Sequence, residues 1–191
     1  MEENMPPKVR ISKAEIVKTA IGLVRESGEQ AINARAIAAA LNCSTQPIFS
    51  NFSTMEELQD ATKRAAYEIY LEFLQKETEG GKYPQYKAYG MAYIRFAKEE
   101  RELFKLLFMC DRSDKAAKFS SDFTESVKMI MEANNTTYEV AELMHLEMWA
   151  CVHGIATMLA TSFIKLEWDL ISDMLSDVYH GLLSRHIKEE K

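Results

Sequence analysis

Apolar residues recur at three- and four-residue spacing along nearly the whole sequence, and residues that break helices are scarce. Only 7 Gly and 4 Pro occur in 191 residues, which favours long helices over many short strands joined by turns. No segment alternates cleanly enough to read as a strand. The pattern predicts an all-α chain of about nine helices.

Helix starts and stops can be placed from their chemistry. Ser12-Lys13-Ala14-Glu15 has the form of a capping box, which opens a helix to about Ser27 with Gly28 at its stop. Ile16, Ala20, Leu23 and Val24 share its apolar face. Asn33 is placed to cap a short helix, Ala34 to Leu41. Asn42-Cys43 then breaks the chain, and Asn tolerates a left-handed turn. Ser44 is the expected cap of a third helix, about Thr45 to Asn51, with Pro47 in its first turn. Thr54 and Glu57 form a second capping box before a long helix to about Thr78, ended by Gly80-Gly81. Further helices are expected from Pro84 to Lys98, Glu102 to Cys110 and Lys115 to Ala133. A third box, Thr136 with Glu139, should open a helix to about Ile164, and the last should run from Trp168 to Ile187. This divides the chain into an arm and small helical domain (1–54), a connecting helix (55–79) and a larger helical domain (80–191).

The net charge of −6 argues at first against nucleic acid, but its distribution matters more. Residues 1–53 carry six Lys or Arg against five Glu and no Asp, so the acidity lies in the remainder. Cys43, Cys110 and Cys151 are far apart, with no CxxC pair, which fits a reducing, cytoplasmic setting. MEENMPPKVR has no apolar stretch and is not a signal peptide. The low-charge run Met148 to Ile164 is shorter than the ~20 apolar residues a spanning helix needs. It is expected to be buried in protein, with no membrane partner.

Two short helices, a two- or three-residue break and a capped third helix suit a helix-turn-helix over about 33–52. On its second helix Ile48 and Phe52 are four apart and should point inward. Gln46, Phe49 and Ser50, at i, i+3 and i+4, should point outward. That outward face carries no acid. Gln can bond adenine, and Thr45 or Pro47 can touch thymine methyl groups. Arg35, and Lys8 and Arg10 in the arm, would add salt-sensitive affinity for phosphates.

The stretch Ile32 to Leu58, INARAIAAALNCSTQPIFSNFSTMEEL, resembles the signature of the tetracycline-repressor family, roughly T-x-R-x-I-A-x-x-x-G-V-S-x-x-x-L-Y-x-H-F-x-x-K-x-x-L. Asn33 stands at the capping Thr, and Arg35, Ile37 and Ala38 match. Cys43-Ser44, Ile48-Phe49 and Asn51-Phe52 stand for Val-Ser, Leu-Tyr and His-Phe, and Leu58 closes the match. Three positions depart from the pattern: Asn42 for Gly, Phe49 for Tyr and Met55 for Lys. The last two remove groups that commonly meet phosphates. The resemblance implies a double-stranded DNA operator as partner and contacts from Arg35, Ser44, Thr45, Gln46, Pro47, Phe49, Ser50 and Asn51. It also implies a homodimer, a small-molecule effector and a repressor's role. The departures favour, as alternative, a protein-interaction module without its own operator.

The helix with Met144, Met148, Trp149, Cys151, Ile155, Met158 and Leu159 is apolar nearly all round, so one subunit alone would not cover it. Paired with the last helix it could build a four-helix bundle across a twofold axis. Ile155, Met158, Leu159, Leu175, Val178 and Leu182 are the expected dimer residues. Trp149-Ala-Cys-Val-His153-Gly154 resembles a W-x-x-x-H-G segment found in some members of the same family. Trp149 and His153 share a face, as pocket lining or as ordinary core. Met91, Phe104, Leu107 and Phe108 are the other candidates for an apolar effector pocket. No HExxH, Walker or GxGxxG pattern occurs. The four His form no i, i+4 ligand pair. Neither an enzyme, a metal nor a cofactor is expected.

Overall fold

A computed structural model describes residues 11–110 and 123–187. Among these residues there are nine α-helices, one 3-10 turn and no strand. They are α1 (Lys13–Ser27), α2 (Ala34–Ala40), α3 (Gln46–Asn51), α4 (Met55–Glu79), α5 (Gln85–Glu99) and α6 (Arg101–Phe108), then α7 (Thr124–Asn134), α8 (Tyr138–Ala160) and α9 (Trp168–His186). The 3-10 turn, Glu29–Ala31, joins α1 to α2. The chain forms two compact units, Met1–Glu68 and Ile69–Lys191, and their boundary falls inside α4.

The first unit is built around α1, against which α2 and α3 pack. Ser12 accepts from the Glu15 N–H, and the Glu15 carboxylate accepts in turn from Ser12, completing the first capping box. Ile16, Ala20, Ile21 and Val24 are buried, whereas Leu23 is only half-buried. Gly28 has φ 80° at the helix end, a conformation that an L side chain would strain. Asn33 caps α2 through a 2.9 Å bond from the Ala36 N–H. No side chain caps α3: Ser44 does not, and Thr45, directly before the helix, is itself in the right-handed helical region. A cap residue normally needs extended backbone to aim its oxygen at the first turn. The second capping box is half made. Thr54 Oγ1 accepts from the Glu57 N–H, but the Glu57 carboxylate reaches one residue further back, to the Ser53 N–H at 2.7 Å.

Three helices end by one device. Asn42, Asn135 and Ser162 have φ of 51°, 45° and 57°. In each case the next N–H reaches back five residues: Cys43 to Ala38, Thr136 to Met131 and Phe163 to Met158. This closure satisfies end carbonyls and reverses the chain. It explains two differences from the sequence expectation. Thr136 is committed to closing α7, so the cap of α8 passes to Thr137. The α8 helix stops at Ala160 and not near Ile164, because Ser162 has already turned left-handed. Residues 111–122, where part of the expected Lys115–Ala133 helix falls, lie outside the described residues.

In the second unit α5 packs on α8, and α8 packs also on α6, α7 and α9. Ala88, Met91, Ala92, Tyr93, Ile94, Phe96 and Ala97 of α5 are buried. Gly90 lets α5 approach both neighbours, since a Cβ there would lie 3.3 Å from a Val152 methyl and 3.4 Å from a Leu175 methyl. Arg95 ties the unit across its helices: it bonds Glu77 at 2.8 Å and lies 4.1 Å from the Trp168 ring. By length and composition α8 could cross a membrane. Within the chain its Ala141, Met144, Met148, Val152, Ile155 and Ala156 are core residues.

Candidate nucleic-acid interface and effector region

The outward face of α3 is formed as its spacing dictates. Ile48 and Phe52 are 0% and 2% exposed, against 51% for Phe49. Gln46 and Ser50 are exposed beside Phe49. The Ser50 hydroxyl donates to the Gln46 carbonyl at 2.9 Å, which leaves its oxygen facing out as an acceptor. Ser44 and Arg35 are exposed, and Thr45 and Pro47 are half-buried. Lys8 and Arg10 lie outside the described residues.

Asn51 departs from its expected place. It is half-buried, and its amide N–H groups donate to the Pro47 carbonyl at 2.8 Å and the Ile11 carbonyl at 3.2 Å. Its donors are therefore turned into the protein, away from any base. Its neighbour Phe52 carries the Lys13 ammonium 4.8 Å from its ring centre, and that ammonium also bonds Glu57 at 2.9 Å. Lys13 and the Ser53 N–H together hold the Glu57 carboxyl below the usual carboxylate range. Sequence spacing gave no sign of these long-range ties. The one hint was a Glu following Thr54 at capping distance.

The expected effector residues divide into two groups. Met91 and Phe104 are fully buried, and Leu107, Phe108, Trp149 and His153 are half-buried. His145, Trp149 and His153 form one stripe on α8, with the last two rings stacked 4.9 Å apart at 10°. Two tyrosines of α5 meet this stripe: Tyr86 Oη is 2.9 Å from His145 Nδ1, and Tyr93 Oη is 2.9 Å from His153 Nδ1. The tyrosines are seven apart and the histidines eight, two turns on each helix, a register visible only once the helices are paired. Phe123 packs edge-on to His145 at 4.5 Å. Burial pushes the His145 imidazole down to about 4 and lowers that of His153. His145 Nε2 is buried without a hydrogen-bond partner.

The expected dimer residues need correction. Ile155, Leu159 and Leu175 are already buried inside the single chain, so they are core and offer no outer surface. Met158, Val178 and Leu182 are half-buried. The large aliphatic residues that α8 exposes are Leu143 and Leu146, at 45% and 44%. Ala150 and Gly154 continue that face, and a Cβ on Gly154 would meet nothing of its own chain within 4 Å.

A small helical unit with an outward-turned third helix, followed in the chain by a larger all-helical unit, is the arrangement of a helix-turn-helix domain joined to a second helical domain. Residues 86–178 match the tetracyclin repressor-like C-terminal domain. Over those residues, a little under half of the chain, it is similar to the C-terminal domain of tetracycline-repressor-like proteins. Solved structures share the fold. A TetR-like transcriptional regulator from Rhodococcus sp. RHA1 superposes with TM-score 0.68 at 17% identity, over 94% of this chain and 98% of that one. A TetR family member from Streptomyces coelicolor A3 gives 0.61 at 15% identity, over 87% and 96%. The multidrug binding protein EbrR, complexed with imidazole, gives 0.55 at 14% identity, over 87% and 93%. Compared by sequence with curated proteins, the chain matches none.

Proposed function

We propose that this chain is a homodimeric, DNA-binding repressor released from its operator by a small molecule. The observation that carries the reading is the α3 face: Gln46, Phe49 and Ser50 turned to solvent over a helix pinned by Ile48 and Phe52. Gln46 reads a base edge, and Arg35 meets the phosphate backbone. A second copy covers Leu143, Leu146, Ala150 and Gly154, and pairing presents two α3 helices to two half-sites. The effector region is the α8 stripe. An unbonded imidazole nitrogen among aromatic rings suits an aromatic or apolar molecule carrying one hydrogen-bonding group. An effector that favours one dimer geometry over another shifts DNA affinity by its differential binding to the two.

The test is a gel shift on DNA upstream of the chain's own gene. Wild type should bind, and Gln46→Ala should lose about 1–3 kcal/mol of discrimination at its base. Saturating effector should release the complex, and unchanged affinity would reject the ligand-responsive part. The second reading, a protein-interaction module, is favoured by the exposed ring of Phe49, which lacks the hydroxyl that commonly meets a phosphate in the family. Absence of any operator shift, with Phe49-dependent capture of a protein partner, would select it.

A further inference from the structure

We propose that the molecule taken by the α8 stripe is an uncharged aromatic compound whose polar group accepts a hydrogen bond, a carbonyl compound, and that His145 Nε2–H is the donor. The inference rests on the effector reading above and deepens it, since that reading leaves open whether the ligand donates or accepts. The direction follows from the Tyr86 hydroxyl. Burial raises its pKa, so it keeps its proton at neutral pH. That proton needs an acceptor, and among the described residues the one hydrogen-bond partner of Tyr86 Oη is His145 Nδ1, at 2.9 Å. The hydroxyl therefore donates and Nδ1 accepts. A neutral imidazole carries a single N–H, which is then on Nε2. The opposite tautomer would strand both the Tyr86 proton and an Nε2 lone pair, two buried groups unsatisfied instead of one.

His145 is 8% exposed, and its Nε2 has no hydrogen-bond partner. A buried donor left unpaired is costly, and an acceptor on a ligand recovers that cost. Phe123, T-shaped to the imidazole at 4.5 Å, offers it a ring and no lone pair. A cationic or donor-only ligand would meet the N–H head-on. A carboxylate would bring a full charge to one neutral donor, and among the described residues no Lys or Arg bonds His145 or Tyr86 to offset it. An uncharged oxygen suits the site. The body of the ligand follows from the walls. Phe123 is 5.7 Å from Trp149, and Trp149 stacks on His153. Phe123 and Tyr86 pack in turn against Val127, Ile130 and Met144. Rings and aliphatic groups together favour a flat, apolar body. Trp149 and His153 are half-buried, so the stripe runs from the core towards the surface.

Two measurements on the full-length chain test this. With isotopically labelled histidine, the imidazole nitrogen shifts at neutral pH should show His145 as the Nε2–H tautomer, its signals assigned by their loss in His145→Phe. The Nδ1–H tautomer would overturn the inference before any ligand is added. Titration with acetophenone, ethylbenzene and benzoate, three probes of similar shape, is then followed at the Trp149 indole resonance. Acetophenone should bind about ten-fold more tightly than either of the others. In His145→Phe, which keeps a ring and removes the donor, acetophenone and ethylbenzene should bind within about two-fold of each other. Tyr86→Phe frees the imidazole to change tautomer and should also shrink the preference, with melting temperatures controlling for folding in both variants. Equal binding of acetophenone and ethylbenzene to wild type would overturn the inference, and so would benzoate binding tightest. A preference that survives in a folded His145→Phe would overturn it as well. Should either variant fail to fold, the wild-type tautomer and selectivity still decide. Failure of all three probes to bind wild type would overturn the effector reading of the stripe itself, a result separate from lost selectivity.

Discussion

At the residue scale, two buried side chains illustrate opposite solutions to burial. Ile48 carries no polar atom and simply fills space between α3 and α1, so Ile48→Ala should destabilise the first unit by about 2–5 kcal/mol in denaturant titration. His145 is buried with one nitrogen bonded to Tyr86 and the other unbonded, so it must stay neutral to remain inside. Unfolded, its imidazole takes a proton near 6.5; folded, only near 4. Between these values the unfolded chain binds the extra proton, so its share of stability is full above pH 6.5 and is lost as pH falls towards 4. The contribution is on the order of 3 kcal/mol at most. Denaturant melts at neutral and mildly acidic pH should show this loss. His145→Gln, which can still accept from Tyr86, should flatten the curve, leaving the smaller same-sign part from His153.

At the scale of elements, helix ends and close approaches decide where the chain turns. Ser162 pays a strain cost at φ 57° that Gly would not, but its hydroxyl also accepts from Arg101 at 2.7 Å; with that bond removed by Arg101→Ala, Ser162→Gly should raise the melting point, by up to about 1 kcal/mol of stability. Asn33→Ala removes the α2 cap and should cost about 1 kcal/mol. Gly90 and Gly154 look alike in the sequence, yet their surroundings differ. A leucine at Gly90 would drive into Val152 and Leu175, and Gly90→Leu should cost several kcal/mol or prevent folding. At Gly154 an added Cβ would meet nothing within 4 Å, so Gly154→Leu should be tolerated far better and leave the monomer folded.

At the scale of the whole molecule, that same substitution separates fold from assembly. If the outward face of α8 is where two copies meet, Gly154→Leu and Leu146→Glu should each shift sedimentation from dimer towards monomer while circular dichroism stays unchanged. A dimer that persists in both would place the interface elsewhere. Loss of the dimer should weaken operator binding far more than binding to a single half-site, because linked half-sites bind by avidity.

The helical class, the order of the elements and the face of α3 were legible from residue spacing alone. A 3.6-residue period is a local property: Ile48 and Phe52 share a face whatever surrounds them. The caps at Ser12 and Asn33 were legible for the same reason, since each bonds within three residues. What spacing left open is everything set by distant segments. Asn51 looked available for DNA until Ile11, far off in sequence, took its donor. Ile155, Leu159 and Leu175 looked like a dimer face, yet they are buried within the chain, while Leu143 and Leu146 are exposed. On a helix apolar nearly all round, periodicity marks no outside. Only the packing of α5, α6, α7 and α9 around α8 decides which side is core and which stays exposed, because burial is a property of the assembled structure and not of the helix that carries it.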